Sequence, residues 1–572
     1  MHARRVALLC QSPLEDEGIS SISYAAYRLQ AALLASPRLA GLEVRLIELP
    51  SGDVEGFVSQ VEAFDPDIVG ASVYVWSFPA LIEVARRLRR ARPETLLVLG
   101  GPSARPEMFD APRFADARSC VDAMVVGEGE EVAVDIVAIA GRRREKLAEV
   151  AGLLLPAANG WRPTAPRTER AHPDHLPSPY QMGLVPHGRK GRLETFRGCP
   201  IGCTFCQVSS TDPICRVHSK EHLVRELGAL RASEPNRVFL IDAAINLSPQ
   251  AFRNLRDAER EVGLFQEQEL LMEVFPSRLT RAHLDFLHHI RSCRIAIGIQ
   301  SFTPSALAYL RRPFDERKFE QVARAVAGLD VSLELVMGLP FDDPRAFLEG
   351  VDRLIDRRFS VLISHCLVLP DTFRRPGMPE ANLRFEEDTL RMISCAGWPE
   401  ETLRETRARL DDRARELGGR IAAFSWEFFA PSGGHRVAPA GSPGRGQRSG
   451  EGPPPGGSSG SVEARPPGAV ARLPRALERA LEVAVEQASG GQWRLDRATL
   501  DEEALVARVK TPGGDLVVEA RRAQPGARSY RELDGVAWSY RLVGDVPAEA
   551  VLRQFDRVIA ELRLLMSRVL KR

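Results

Sequence analysis

Cys199, Cys203 and Cys206 lie in the run ETFRGCPIGCTFCQVSS, spaced C-x3-C-x2-C. Thiolates this close in one loop suit three irons of a 4Fe–4S cube, for which thiolate is the preferred ligand. A cube has four irons, so three ligands leave one iron open to a substrate or cosubstrate. Structural zinc would ask for paired C-x2-C knuckles and a fourth ligand, and no second knuckle is present. Cys215, Cys293 and Cys366 are isolated and read as small buried residues. Glu273, in LLMEVFPSRL, is an acid among apolar neighbours. Burying it without a role is expensive, so its carboxylate is expected to bind a ribose diol or an ammonium. His365 reads equally well as a proton carrier or as a satisfied core histidine. His172, His175 and His187 lie in a Pro-rich polar stretch without metal-ligand spacing and read as solvated.

The elements that position these residues alternate along the chain. Residues 4–10, 43–49, 67–75, 95–100 and 122–126 are short runs rich in Val, Ile and Leu, separated by helical patterns such as FPALIEVARRLRRAR. Such alternation predicts an open parallel sheet with helices on both faces, whose ligands sit at the carboxyl ends of the strands. Ser72, Gly100, Gly101, Gly127 and Glu128 fall at those ends. The Gly100–Gly101 pair permits a tight turn and close backbone approach. From 191 the alternation resumes, with strands expected near 192–196, 237–242, 270–275, 294–299, 332–337 and 361–367. Six such units predict a partial (β/α)6 barrel with its site at the strand ends. The cysteine loop follows the first strand. Asp242 and Asn246, then Glu273, then Gly298, Gln300 and Ser301, then Glu334 with the MGLP phrase (337–340), fall on the second to fifth strands and their ends. His365 and the LVLPDT phrase (367–372) end the sixth.

The cysteine loop resembles that of the radical S-adenosylmethionine (radical SAM) enzymes, whose hallmark is C-x3-C-x-aromatic-C; Phe205 supplies the aromatic. The resemblance implies that the open iron binds the amino and carboxylate groups of SAM, and that reduction yields a 5′-deoxyadenosyl radical. It places Asp242 and Asn246 near the methionine part of SAM, and Gly298, Gln300 and Ser301 against SAM. The phrases GASVYV, VLGGPSARP and VVGEGEE, ahead of the barrel, are similar to the cobalamin-binding domain that precedes many radical SAM cores. There the nucleotide tail of cobalamin enters near Ser72 and Gly100–Gly101. The D-x-H-x-x-G motif by which many cobalamin proteins ligate cobalt is missing, and His2 is the only histidine before His172. Cobalamin would therefore be bound base-off, without a histidine ligand. Related enzymes with extra clusters carry them in Cys-rich C-terminal extensions, whereas no cysteine follows Cys395.

The whole reads as an α/β chain: a Rossmann-like cobalamin-binding-type domain (1–145), a connecting segment (146–190), a radical SAM partial barrel (191–380), a helical extension (381–430), a disordered linker (431–470) and a small α+β domain of unassigned role (471–572). The 572 residues are 44% hydrophobic with a net charge of +1, which points away from nucleic acid and from anionic membranes. Too few apolar residues follow the start for a signal peptide, and no apolar run is long enough to span a bilayer. A cytoplasmic protein with reduced thiols is expected. The resemblance implies a methyltransferase acting on an unactivated carbon of a small-molecule or peptide natural product, served by a reductant such as flavodoxin or ferredoxin. The alternatives are a cyclase, oxidase or rearrangement enzyme with the same cofactors, and a non-catalytic iron–sulfur protein. Residues 431–468 are dominated by Gly, Pro and Ser and cannot bury apolar surface. Mild trypsin is expected to cut the native chain at Arg436 or Arg445, releasing a C-terminal fragment of about a hundred residues; resistance to cleavage there would show an ordered or covered segment.

Overall fold

The computed structural model describes residues 5–12, 22–49, 52–208, 214–326, 328–357, 359–373, 378–417 and 421–423, and five strands between 494 and 543. They belong to two units, Met1–Gly446 and Gln447–Arg572.

The first unit begins with the apolar runs read from the sequence. Strands Glu43–Leu49, Arg5–Gln11, Ile68–Ser72, Leu96–Gly100 and Ala123–Val125 lie side by side in that spatial order and in parallel. The chain leaves Arg5–Gln11 toward one edge of the sheet and Ile68–Ser72 toward the other. The strand order therefore reverses between these two strands, and a crevice opens at their carboxyl ends. Helix Phe78–Ala91 starts with a proline in its first turn and buries Phe78, Leu81, Ile82, Val84, Ala85 and Leu88 against the sheet. The interval of three or four between these positions is what a helix needs to bury one face. Helix Val54–Phe64 is capped by Asp53, whose carboxylate accepts from Gly56 N at 2.9 Å. One feature was not expected. Within the connecting segment, Leu153–Ala157 and Gly160–Pro163 form an antiparallel hairpin that extends this sheet to seven strands.

The second parallel sheet runs in the order Ile421–Ala423, Ser360–His365, Asp330–Met337, Cys293–Gln300, Leu270–Val274, Val238–Leu240, Gly191–Leu193. Buried residues alternate with half-buried ones along Leu270–Val274 and Asp330–Met337. The buried set packs under the helices, and the other set faces the lumen. Two differences from the expected barrel have simple causes. The first strand ends at Leu193, and Phe196–Arg197 turns away to pair antiparallel with Arg216–Val217, because the Asp242 carboxylate takes the backbone N–H of Thr195 at 2.8 Å. A seventh strand, Ile421–Ala423, closes the open edge against Ser360–His365. Three residues behind a charged helix, Glu400–Leu417, carry too little pattern to be read as a strand.

In the second unit, Arg494–Leu500, Ala504–Thr511, Gly514–Arg522, Val536–Val543 and Arg531–Leu533 form an antiparallel sheet. The hairpin expected around TPGG is its centre. The linker at 431–468 and the helix expected at the chain's end lie outside the described residues. Among the described residues no helix is long and apolar enough to cross a membrane.

Gly101 has φ +102°, and a Cβ there would stand 2.6 Å from Val73 O. Gly228, inside helix Lys220–Ala232, has nothing within 4 Å of such a Cβ. Gly101→Ala is expected to destabilise the protein by about 1–3 kcal/mol, and Gly228→Ala to stabilise it by about 0.5–1 kcal/mol. Calorimetry should show opposite shifts of the melting midpoint.

Candidate active site

The cysteine loop grows from the ribbon Phe196–Arg197/Arg216–Val217 and is stitched down at its middle. Thr204 N donates to Leu310 O at 3.0 Å, and Phe373 N donates to Thr204 O at 3.0 Å. Cys199 and Cys203 are buried and Cys206 is half-buried, all as free thiols. Burial pushes the Cys199 and Cys203 thiols up, and the Arg312 guanidinium, 3.6 Å from Cys203 Sγ, pulls both down. The three sulfurs are close enough for their charges to act on one another. Three converging thiols beside a fixed cation fit an anionic iron–sulfur cluster. Phe205 is half-buried and packs on the barrel core.

Two acids and one base occupy the lumen beside this loop. Glu273 and Glu334 lie on the third and fifth strands, with the fourth between them: Glu273 is level with Ala296, and Glu334 with Gly298. Burial raises the Glu273 carboxyl well above its usual range, the Glu334 charge raises it further, and Arg312 opposes both. Burial also raises Glu334. Two buried carboxyls facing one guanidinium are both pushed toward the protonated form. Arg312 also donates to Gly298 O and stacks on the Phe275 ring at 5.1 Å. A Cβ on Gly298 would meet Gln300 Nε2 at 2.4 Å and the Arg312 guanidinium at 3.1 Å. Glycine is what lets both side chains reach the lumen. Gln300 itself sits at φ 73°, bent out of the strand at its end.

Three other expected ligands are engaged differently. Asp242 accepts from the backbone and hydroxyl of Thr195, and burial lifts its carboxyl to about 7. Asn246 exchanges two 2.8 Å hydrogen bonds with the backbone of Phe275. Ser301 donates to Asp342 at 2.9 Å and accepts from Thr303 N at 2.9 Å. Their hydrogen bonds hold strand ends in place beside the site. His365 is likewise held, with Nε2 2.8 Å from Met392 O and Nδ1 3.1 Å from Arg407. Burial pushes it down to about 4, which leaves the core-histidine reading. Cys293 and Cys366 are buried and Cys215 half-buried. Burial raises the Cys293 thiol to about 11.

At the crevice of the N-terminal sheet lies a cavity of about 530 Å³ lined by Ser72, Gly100, Gly101, Gly127 and Glu128, all five expected there, and by Tyr74 and Trp76. The two rings stack with centroids 4.5 Å apart. The cavity continues inward past Leu8, Gly70, Val98 and Leu33. Such an apolar slot behind a polar mouth fits an aromatic nucleotide base. No histidine lines it.

The two sites meet. Gln207, next to Cys206, donates to Pro102 O at 3.0 Å and to Pro370 O at 3.2 Å. Arg105 reaches Asp371 at 2.7 Å. Arg197 joins Glu130 at 2.6 Å, Glu194 at 3.0 Å and Glu128 at 3.5 Å. Glu128 also pairs with Arg216, so its carboxylate binds the barrel as well as lining the cavity. Sequence reading missed Arg312, Gln207, Arg197 and the Tyr74–Trp76 pair. Only the pair carried a local signal, as bulky rings just beyond an apolar strand.

Residues 29–137 match the B12 binding domain profile and residues 193–354 the radical SAM superfamily profile. The chain is 30% identical, over 56% of its own length and 71% of the other, to an uncharacterised methyltransferase of Pyrococcus horikoshii. It is 26% identical over 51% of its length to the 2-(S-pantetheinyl)-carbapenam-3-carboxylate methyltransferase of Streptantibioticus cattleyicolor, of which it spans 45%. It thus spans about half the length of that curated relative. Its fold is similar to that of the radical S-adenosylmethionine methyltransferase TsrM of Kitasatospora setae, with a TM-score of 0.55 at 16% identity over 74% of this chain and 92% of that one.

Exchange of Cys199, Cys203 and Cys206 for Ala is expected to remove the iron of anaerobically reconstituted protein, about four atoms per chain. Exchange of Cys215, Cys293 or Cys366 should leave it. Iron analysis of the variants decides the assignment.

Proposed function

The chain belongs to the radical SAM superfamily, with a B12-binding domain ahead of the barrel, and from that premise we propose a methyltransferase acting on an unactivated carbon of a small-molecule or peptide natural product. The observation that carries the reading is the Gln207 bridge. It ties the cysteine loop to the Gly100–Pro102 turn of the N-terminal cavity, so groups held at the two places would share one reaction space. When bound, the cluster with SAM supplies a substrate-activating radical, and cobalamin supplies a methyl carrier.

The residues of the chain then do the following. Cys199, Cys203 and Cys206 hold the cluster and leave one iron free. Arg312 places a cation beside the Cys203 sulfur. Glu273, Glu334 and Gln300 face the cosubstrate, the acid pair suited to an ammonium or a diol. Ser72, Gly100 and Gly101 shape the cobalamin mouth, with Gly101 packed on Val73. The Tyr74–Trp76 stack stands at the end of the third strand in the same cavity. Cobalamin held in this cavity would be bound base-off and without a histidine ligand, since no histidine lines it. We place the protein in the cytoplasm, where a flavodoxin- or ferredoxin-type protein would reduce it.

Reduced protein given SAM, cobalamin and its substrate should form S-adenosylhomocysteine and 5′-deoxyadenosine in equal amounts. Deoxyadenosine alone would indicate the cyclase, oxidase or rearrangement class. S-adenosylhomocysteine alone would indicate a non-radical methyl transfer, and neither product a non-catalytic role. In the same samples the Co(II) resonance should lack imidazole nitrogen splitting.

A further inference from the structure

Asp174, His218 and His222 lie outside both sites, on the connecting segment and at the start of helix Lys220–Ala232. Their ligand atoms all fall within 4.8 Å of one another. His218 Nδ1 stands 2.9 Å from Asp174 Oδ1. His222 Nδ1 stands 3.8 Å from the same oxygen. The two rings stack, with centroids 4.3 Å apart and planes at 19°, so both are stacked beside one carboxylate. We propose that Asp174, His218 and His222 form a binding site for a divalent transition-metal ion of the zinc class.

An ordinary hydrogen-bonded cluster explains only part of this. Asp174 receives Ser219 N at 3.2 Å and holds His218. The His222 contact, at 3.8 Å, is too long for a hydrogen bond. Two ligands bound to zinc at about 2.0–2.2 Å lie a little over 3 Å apart, a spacing that 2.9 and 3.8 Å bracket. The outer nitrogen of His218 stands 3.6 Å from Glu194, beyond hydrogen-bond reach as it is but near enough for a small shift to give the carboxylate–histidine arrangement that orients a metal-bound imidazole. Asp174 keeps 17% of its side chain exposed, which leaves an edge for water as fourth ligand. Imidazole and carboxylate together favour zinc over the hard cations.

The site has a clear mechanical place. His218 N donates to Thr195 O at 2.9 Å, directly behind the ribbon from which the cysteine loop grows. A metal there would staple the connecting segment to the base of that loop without touching the cluster. The inference stands whatever reaction the barrel performs.

The test uses full-length protein with its cluster reconstituted, stripped of loose metal by a chelator and then given zinc. After desalting, elemental analysis should find about one zinc per chain, with iron unchanged and a raised melting midpoint. His222→Ala and Asp174→Asn should weaken zinc at least about tenfold and keep their iron. The variant of an exposed histidine farther along the connecting segment, His187→Ala, should bind zinc as the parent does. Three results would overturn the proposal: no zinc retained by the parent at micromolar free zinc, equal retention by His222→Ala, or zinc uptake matched by iron loss. Should a variant fail to fold, competition between the parent protein and a chromophoric chelator decides the first of these alone.

Discussion

A single guanidinium sets the relation between the two sheets. Arg197 sits two residues before Cys199 and meets Glu128 and Glu130 of the N-terminal domain and Glu194, just past the first barrel strand. Arg28 and Arg216 complete the cluster from either side. Three acids thus face three arginines, although the buried Arg28 guanidinium stands 3.7 Å from Glu130 with no hydrogen bond of its own among the described residues. Losing one member of such a network costs about 3–5 kcal/mol, because the others stay buried and unpaired. Burial alone would raise the Glu194 carboxyl, yet Arg197, His218 and Arg28 bring it to about 2. Its contribution is therefore complete above the ordinary carboxylate range and is lost as the pH falls toward 2. Because the network anchors the root of the cysteine loop, its geometry is also the geometry of the site.

The lumen follows a different rule. There the charges do not balance: Glu273 and Glu334 face Arg312, and Arg312 is shared with a cysteine sulfur. An unmatched buried acid is kept only where something else makes use of it. The interface matches acids to arginines in number, while the lumen is left short of one positive partner.

How much of this was legible in the sequence depends on range. Periodicity is local, and the strands of both sheets lay within a few residues of their observed ends. The cysteine spacing is local as well. What a polar side chain does is not local. Asp242, Asn246 and Ser301 stand at strand ends, where a ligand is expected, and each also bonds a backbone or side-chain partner from another segment that no local pattern announces. Arg312 and Gln207 carry no pattern, since their partners lie 109 and 105 residues away in the chain. The third strand of the barrel hinted at function only because an acid between LLM and VF has nowhere to be solvated.

Those separations bear on the order of assembly. The loop's fastenings reach back to Pro102 and forward to Leu310, Pro370 and Phe373. Contacts between distant residues form late, because long loops must close before they are rewarded. As the chain emerges from a ribosome, the three cysteines are exposed long before the residues that will enclose them have been made. Until Phe373 has been synthesised, the thiols belong to an unfastened loop. The finished geometry of the cysteine loop is therefore a property of the whole barrel and its neighbour, and exists only once Phe373 has been made.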